Sequence, residues 1–398
     1  MDQAGTPLSE SQRLDWIDAA RGFAILGIFM VNVPAFNAPF FLYGGEQDYW
    51  TNSIDHVTQN FIDVFFQASF YSLFSFLFGF GIQVIVDKWK ARQRKCNQLI
   101  FRRLMILIGF GLIHAFLIWH GDILLSYGLI GLFLLLFFKR KNQTLASWAF
   151  GLLLIPTFLY SGLLYMVRDQ LDWVNHEAIA SSFENYGNGS IVDIWQQNYQ
   201  DWIYSNGWIS LILLITNILP LFLIGMVIAR KRWLHDIKRY QGILKKLWVI
   251  TFVIFIAVKA GPYLFGNPTW FTFFQDRVGG SASALFYVVT ITLCFQSNRI
   301  KKGLYPLTYV GRMSLSNYIF QSIVNVILYY SVGFGLYGKL SPFWSVWVVL
   351  AIFIIQLFLS KWWLRHYRFG PLEWLWRRWT YQKSLVNSRK KRKAVEQG

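Results

Sequence analysis

Residues 208–229, WISLILLITNILPLFLIGMVIA, form a continuous apolar run without a charged side chain. A run of about 20 residues, at about 1.5 Å per residue, is long enough to cross the hydrocarbon core of a bilayer as one helix. The following residues, 230–246, carry seven Lys or Arg side chains. An apolar helix that ends in a basic loop is typical of a transmembrane segment that ends on the cytoplasmic side.

The composition extends this pattern to the whole chain. Of the 398 residues, 55% are hydrophobic and 15% are charged, whereas soluble proteins carry about 25% charged residues. We therefore predict an all-α, polytopic helix bundle that forms a single membrane domain over residues 1–398. About ten spans are expected, at residues 22–43, 61–86, 104–119, 122–138, 144–166, 208–229, 247–265, 279–297, 308–332 and 343–363.

The net charge of +18 is distributed unevenly. Residues 88–103 carry seven cations and no acid, and further basic runs occur at 139–141, 230–246, 299–302 and in the tail. With ten spans these loops share one side, so the positive-inside rule predicts that both termini are cytoplasmic. The cytoplasmic parts then include residues 1–21 and a basic tail, 364–398. The acidic loop 167–207 is exterior.

This placement argues against nucleic acid as a partner. The RKKRK run at 389–393 is better interpreted as a topology anchor that faces anionic lipids. Cys96 and Cys294 are isolated, and no zinc-binding or Walker pattern occurs, so we predict no metal site.

Polar side chains at membrane depth are the first candidates for function. Arg21 precedes Asn32 by 11 residues, and Arg103 precedes His114 by the same number. Each interval is about 16 Å along a helix, so we expect Asn32 and His114 at a similar depth. Asp122 follows His114 by eight residues, about 12 Å further outward if the helix continues. Asp18 is placed to pair with Arg21 on one helical turn.

Two other polar groups occur in the C-terminal half. Asn317, Gln321 and Asn325 are spaced four residues apart, which places them on one helix face that either joins helices or contacts substrate. Lys259 lies inside an apolar span, where it either pairs with a buried carboxylate or extends outward. Together with Arg277 and the small residues that follow it, Lys259 is a candidate for binding an anionic group.

Five segments together resemble the YeiB-like family of bacterial membrane proteins. They are RLDWIDAARGFAILGIFMVN (13–32), FYSLFSFLFGFGI (70–82), GFGLIHAFLIWHGDIL (109–124), VGRMSLSNYIFQS (310–322) and RFGPLEWLWRRWTY (368–381). The resemblance covers essentially the whole chain and implies a multi-pass protein of a bacterial cell membrane. The C-terminal half of this family is classified as a domain of unknown function.

The family is distantly similar to transmembrane acyltransferases such as heparan-glucosaminide N-acetyltransferase, which has Asn at the position equivalent to Asn32. That enzyme has an essential His shortly after its first helix. No clear equivalent occurs here, so the expected general base is His114. The resemblance also suggests a homodimer.

The preferred hypothesis is transfer of an acyl group from cytoplasmic acyl-CoA, such as acetyl-CoA, to an envelope glycan, a lipid or a small glycoside outside. His114, Asn32 and Asp122 are the catalytic candidates. Arg21, Arg103 and Arg312 are candidates for the CoA phosphates, and Asn317, Gln321, Lys259 and Arg277 for substrate. A transporter or flippase of an anionic amphiphile and a non-catalytic membrane scaffold remain as alternatives.

Overall fold

A computed structural model describes residues 14–93, 96–171, 173–382 and 387–388. The predicted lipid-facing run at 389–393 and most of the predicted cytoplasmic N-terminus lie outside these residues. The described chain is helical, with one isolated β-bridge between Tyr367 and Ser388. The prediction of an all-α bundle is confirmed.

The α-helices are α1 (Asp15–Asn37), α2 (Phe40–Tyr43), α3 (Glu46–Tyr49), α4 (Ser53–Phe65), α5 (Ser69–Ala91), α6 (Asn97–Ile113), α7 (Leu124–Leu132), α8 (Asn142–Met166), α9 (His176–Gly187), α10 (Ile191–Ser205), α11 (Trp208–Lys231), α12 (Gln241–Phe255), α13 (Thr269–Phe274), α14 (Gly280–Cys294), α15 (Asn298–Leu304), α16 (Pro306–Arg312), α17 (Ser314–Tyr329), α18 (Pro342–His366) and α19 (Pro371–Tyr381). Three π-helical turns extend α6, α12 and α13, at His114–Ile118, Ile256–Ala260 and Gln275–Gly279.

Among the described residues, seven helical segments are long and apolar enough to cross a membrane. They are Asp15–Asn37, Ser53–Ala91, Asn97–Ile118, Asn142–Met166, Trp208–Lys231, Thr269–Cys294 and Pro342–His366. The other three predicted spans correspond to shorter or interrupted helices: Leu124–Leu136, α12 with its extension, and α16 with α17. The count of ten and the orientation therefore stay predictions.

Close helix contacts in the centre of the bundle depend on glycine. A side chain at Gly79 of α5 would collide with the backbone of Phe222 on α11, and one at Gly225 would collide with the backbone of Phe76. In the same way, Gly22 on α1 and Gly311 on α16 allow those two helices to touch. Small residues at such crossings are typical of helix packing in membranes, where tight backbone approach replaces the hydrophobic effect.

The periphery of the bundle is apolar. On α8, Trp148, Phe150, Ile155, Phe158 and Leu159 are all exposed. A continuous apolar surface of this kind is rare on soluble proteins and fits contact with lipid.

Candidate functional site

The chain reverses direction directly after α6, and this reversal shapes the site. In the π-helical turn His114–Ile118, the Trp119 N–H donates to the His114 carbonyl oxygen at 2.8 Å. Trp119 then has an extended backbone, so the helix ends there. The chain folds back into α7, where the backbone of Leu125 packs against Gly111 of α6. Isolated π-helical turns are frequent at functional sites.

The reversal brings Asp122 back to His114. His114 Nδ1 lies 2.8 Å from Asp122 Oδ1. The expectation that Asp122 lies about 12 Å further outward is wrong, because it assumed a helix that continues beyond Ile118 at about 1.5 Å per residue. The second carboxylate oxygen, Oδ2, accepts from the Leu125 N–H at 2.6 Å, at the start of α7. The carboxylate thus also contacts the N-terminus of α7, where backbone N–H groups without a helical partner are available as donors.

Ser322 on α17 completes a chain of three side chains. Its Oγ lies 2.8 Å from His114 Nε2. An ionised Asp122 only accepts hydrogen bonds, so His114 Nδ1 carries the proton and Nε2 is left as an acceptor. The Ser322 hydroxyl then donates to His114 Nε2. This order of donors and acceptors is that of a Ser–His–Asp catalytic triad.

The three side chains are closed off from solvent. His114 is 0% exposed, and Asp122 and Ser322 are also buried. The Tyr318 ring lies 4.9 Å from the imidazole, and the Tyr318 hydroxyl donates to the Gly121 carbonyl oxygen at 3.2 Å. Charges in such a dry environment interact more strongly than in water.

Sequence reasoning missed Ser322, although a signal was present. Ser322 follows Arg312 by ten residues, which is close to the spacing of Arg103 and His114 and corresponds to about 15 Å of helix. It also lies next to Gln321 within the polar segment of α17. The spacing gives a similar depth, but only the structure shows that the side chain faces His114.

Within the described residues, Asn32 has no hydrogen bond to the imidazole of the site. Its side chain is half-buried on α1. Four residues further along α1, the Phe36 ring stacks on Trp119, with 3.8 Å between the centroids. This stack joins the C-terminal half of α1 to the turn after His114. The catalytic assignment of Asn32 stays a prediction.

The three predicted phosphate-binding arginines lie on α1, α6 and α16. Arg21 pairs with Asp18 at 3.6 Å, as predicted. The Arg103 guanidinium lies 3.6 Å from the centre of the Trp376 ring on α19, and it is close enough to Arg21 for the two charges to repel. Arg312 ends α16 directly after Gly311, which packs on the backbone of Asp18.

The polar face of α17 joins this helix to α18. Asn317 donates to Ser360 Oγ at 3.0 Å, and Gln321 donates to Gln356 Oε1 at 2.8 Å. The Gln356 side chain returns a hydrogen bond to the Asn317 carbonyl oxygen at 3.0 Å. These bonds favour the interpretation that the face joins helices. A substrate-binding role for Asn317 and Gln321 stays a prediction.

Lys259 pairs with carboxylates, as one of the two interpretations predicted. Its Nζ lies 3.0 Å from Asp276 Oδ1 and 3.3 Å from Asp63 Oδ1, and the lysine is 0% exposed. Arg277 follows Asp276 in sequence and donates to the Leu213 carbonyl oxygen at 2.7 Å. Two cations and two carboxylates balance one another here. A substrate-binding role for Lys259 and Arg277 stays a prediction.

The segment predicted as an exterior loop, 167–207, contains α9 and α10, which pack on the turn after His114. Tyr43 and Tyr186 donate to the buried Asp201 carboxylate at 2.6 and 2.8 Å. His120 Nδ1 lies 3.4 Å from Asp201 Oδ2 and 3.2 Å from the Tyr186 hydroxyl oxygen. Burial lowers the pKa of His120, although the Asp201 charge opposes this shift.

Together, the fold and the site define a multi-helix integral membrane protein with a buried Asp–His–Ser chain. Comparison with known proteins identifies the family to which the chain belongs. Residues 228–383 match the family model described as "Protein of unknown function (DUF418)". The chain is 34% identical to the uncharacterized protein YxaH of Bacillus subtilis, over 94% of this chain and 96% of that protein.

The chain is also 28% identical to the uncharacterized protein YeiB of Escherichia coli, over 92% of this chain and 95% of that protein. A 39.9 kDa uncharacterized protein of Bacillus acidopullulyticus has the same identity over 95% of this chain and 97% of its own. No solved structure matches. The chain belongs to the YeiB-like family of DUF418 proteins, which confirms the family predicted from its motifs.

Proposed function

We propose that this protein is a membrane-embedded acyltransferase in which His114 acts as the general base. The observation that carries the proposal is the buried chain from Asp122 through His114 to Ser322, with both hydrogen bonds at 2.8 Å. Asp122 holds the imidazole so that Nε2 accepts a proton, which is the state that a base for acyl transfer requires. The names of the relatives give no reaction.

The proposed acyl donor is an acyl-CoA thioester such as acetyl-CoA. Its phosphates would contact Arg21, Arg103 and Arg312, because one guanidinium group can donate two parallel hydrogen bonds to phosphate oxygens. Arg103 and His114 are 11 residues apart on α6 and its extension, about 16 Å at 1.5 Å per residue. The pantetheine arm would span this interval and bring the thioester to His114.

The carbonyl oxygen of the thioester needs a hydrogen-bond donor as negative charge develops on it. Asn32 is the candidate, since its half-buried amide is not bonded to the triad. The acceptor would be a hydroxyl or amine of an envelope glycan, a lipid or a small glycoside. Deprotonation of this group by His114 allows it to attack the acyl carbonyl carbon.

We further propose that the protein resides in a bacterial cell membrane with ten spans and both termini in the cytoplasm. The basic loops then face the compartment that contains acyl-CoA, and anionic lipids of the inner leaflet. The acceptor arrives from the other side. A homodimer remains the proposal for its assembly.

The test uses purified protein in nanodiscs, radiolabelled acetyl-CoA and an extract of envelope glycans and lipids. Wild type should transfer label to an acceptor, and His114→Ala should lower the rate by about 100-fold or more, because a positioned general base contributes about 10²–10⁴. Ser75→Ala is the control, since Ser75 is a buried serine bonded to Tyr127 at 2.9 Å outside the site. Equal transfer by wild type and His114→Ala would contradict the proposal.

A further inference from the structure

We propose that Ser322 is a nucleophile and carries the acyl group as a covalent ester between donor and acceptor. This inference rests on the proposed acyl transfer and specifies its route. Ser322 Oγ lies 2.8 Å from His114 Nε2. With the His114 proton on Nδ1, facing Asp122, the hydroxyl donates to Nε2 and the base is already bonded to the proton that must be removed. A serine hydroxyl is a weak nucleophile until an adjacent base is placed in this way.

The pairing distinguishes Ser322 from the other buried serines. Ser75 bonds to a tyrosine hydroxyl, Ser283 bonds to Ser69, and Ser360 receives a bond from Asn317. Within the described ranges, Ser322 is the serine whose hydroxyl bonds to a histidine ring. That histidine is in turn oriented by a carboxylate, which is the third element of an activated nucleophile.

The burial of Ser322 also fits an ester that must outlive the departure of CoA. Both His114 and Ser322 are buried, with exposed fractions of 0% and 1%. Water is therefore excluded from the ester once it has formed, which protects it from hydrolysis. An acceptor that enters from the exterior side can meet the acyl group after CoA has left.

The proposed reaction has two balanced steps. First, Ser322 Oγ attacks the thioester carbonyl carbon and its proton moves to His114 Nε2. The carbon–sulfur bond breaks, and the CoA sulfur leaves with that proton. In the second step, the acceptor hydroxyl or amine gives its proton to His114 and attacks the ester. The bond to Ser322 Oγ breaks, and the serine regains a proton from His114.

The experiment labels the nucleophile in full-length protein. Purified protein is treated with radiolabelled acetyl-CoA without acceptor, and separately with an alkyl fluorophosphonate, which phosphonylates activated serines. Wild type and Ser75→Ala should carry either label on the peptide that contains Ser322. Ser322→Ala should carry neither label. His114→Ala should be labelled at least about 100-fold more slowly, because its general base is missing.

A second variant covers the case in which Ser322→Ala fails to fold. Ser322→Cys keeps nearly the same volume and should form a thioester with the acetyl group. Neutral hydroxylamine should remove that label while leaving the ester on wild-type Ser322. An acetyl label on Ser322→Cys that resists hydroxylamine would overturn the inference.

The outcomes separate this inference from the proposed function. If Ser322→Ala transfers acetyl groups at the wild-type rate, transfer is direct. The covalent route is then overturned, while the proposed function stands. Absence of both labels from wild-type Ser322 also overturns the covalent route. If His114→Ala transfers as fast as wild type, the proposed function itself fails.

Discussion

His114 is oriented from two sides by residues that are far apart in sequence. Asp122 approaches Nδ1 from the turn before α7, and Ser322 approaches Nε2 from α17. Both ring nitrogens therefore have a hydrogen-bond partner. With an ionised Asp122, which only accepts hydrogen bonds, the proton of the neutral imidazole is on Nδ1. A histidine fixed in this way is prepared for proton transfer before substrate arrives.

The buried ammonium group of Lys259 depends on neighbouring carboxylates for charge compensation. Lys259 is 0% exposed and lies between Asp63 and Asp276. Lys259→Met should destabilise the protein by about 3–5 kcal/mol, because removal of one partner leaves buried charge uncompensated. The measurement is thermal unfolding in detergent, and the Lys259→Met, Asp276→Asn double variant should recover part of the loss.

Lys302→Met is the matched control for this variant. Lys302 is exposed on α15, so its substitution should change the free energy of unfolding by about 0.5 kcal/mol or less. If Lys259→Met were as stable as Lys302→Met, the ion cluster would have no structural role. Lys259 would then be available for the anionic substrate of a transporter.

At the scale of helices, α17 depends on α19 for the satisfaction of its first turn. The buried Glu373 carboxylate accepts from the Leu315 N–H at 2.7 Å and from the Ser316 N–H at 3.1 Å. The Ser316 hydroxyl donates to the other carboxylate oxygen at 2.6 Å. Free backbone donors at a helix start need such partners. Helix α19, which belongs to the segment predicted as a cytoplasmic tail, is thus packed into the bundle. There it holds the start of α17, the helix that carries Ser322.

The helices α9 and α10 are attached near the site through a titratable side chain. His120 faces Asp201 and Asn198 of α10 and Tyr186 of α9, and it lies near the His114 imidazole. Burial lowers the pKa of His120 below its usual value of 6.5. The folded state therefore keeps His120 neutral, whereas the unfolded chain binds a proton near that pH. The contribution of His120 to stability is present above pH 6.5 and is lost as the pH falls below it.

The corresponding prediction concerns the attachment of α9 and α10. Between about pH 7.5 and about pH 5.5, the melting temperature of wild type should fall more than that of His120→Gln, which cannot become charged in this range. Differential scanning calorimetry in one detergent checks this. The same pH dependence in both proteins would show that His120 is not the titrating group.

The structure also shows which parts of the site the sequence could predict. The alternation of apolar runs with basic loops was sufficient for an all-helical bundle, and the spacing of Arg103 and His114 gave a depth. The contact between His114 and Asp122 was not predictable from that spacing, because it depends on where α6 ends. Ser322 requires the packing of α17 against a turn about 200 residues away in sequence, which no local periodicity encodes.

At the scale of the whole molecule, the number of spans sets the orientation of the bundle in the membrane. Seven long helices are identified by length and composition, and three predicted spans are short or interrupted. The distinction determines which face of the bundle meets acyl-CoA. With a cytoplasmic N-terminus, ten spans place α9 and α10 outside and the α11–α12 loop inside. Seven spans, with the three shorter segments not crossing, reverse both positions.

Single cysteines can distinguish these arrangements. Asn188→Cys and Gln241→Cys replace exposed residues at the end of α9 and the start of α12, in a background without Cys96 and Cys294. An impermeant maleimide applied to intact cells should label position 188 and spare position 241 until the cells are opened. The reverse pattern would support seven spans and contradict the positive-inside assignment.

The central claim is that His114 activates a nucleophile for attack on an acyl-CoA thioester, and its most direct measurement is the release of CoA thiol from acetyl-CoA by the purified protein. Wild type should release CoA as label appears on the acceptor. Folded His114→Ala protein should release it at least about 100-fold more slowly. No thiol release by wild type at millimolar acetyl-CoA, or the same rate in His114→Ala, would contradict the account.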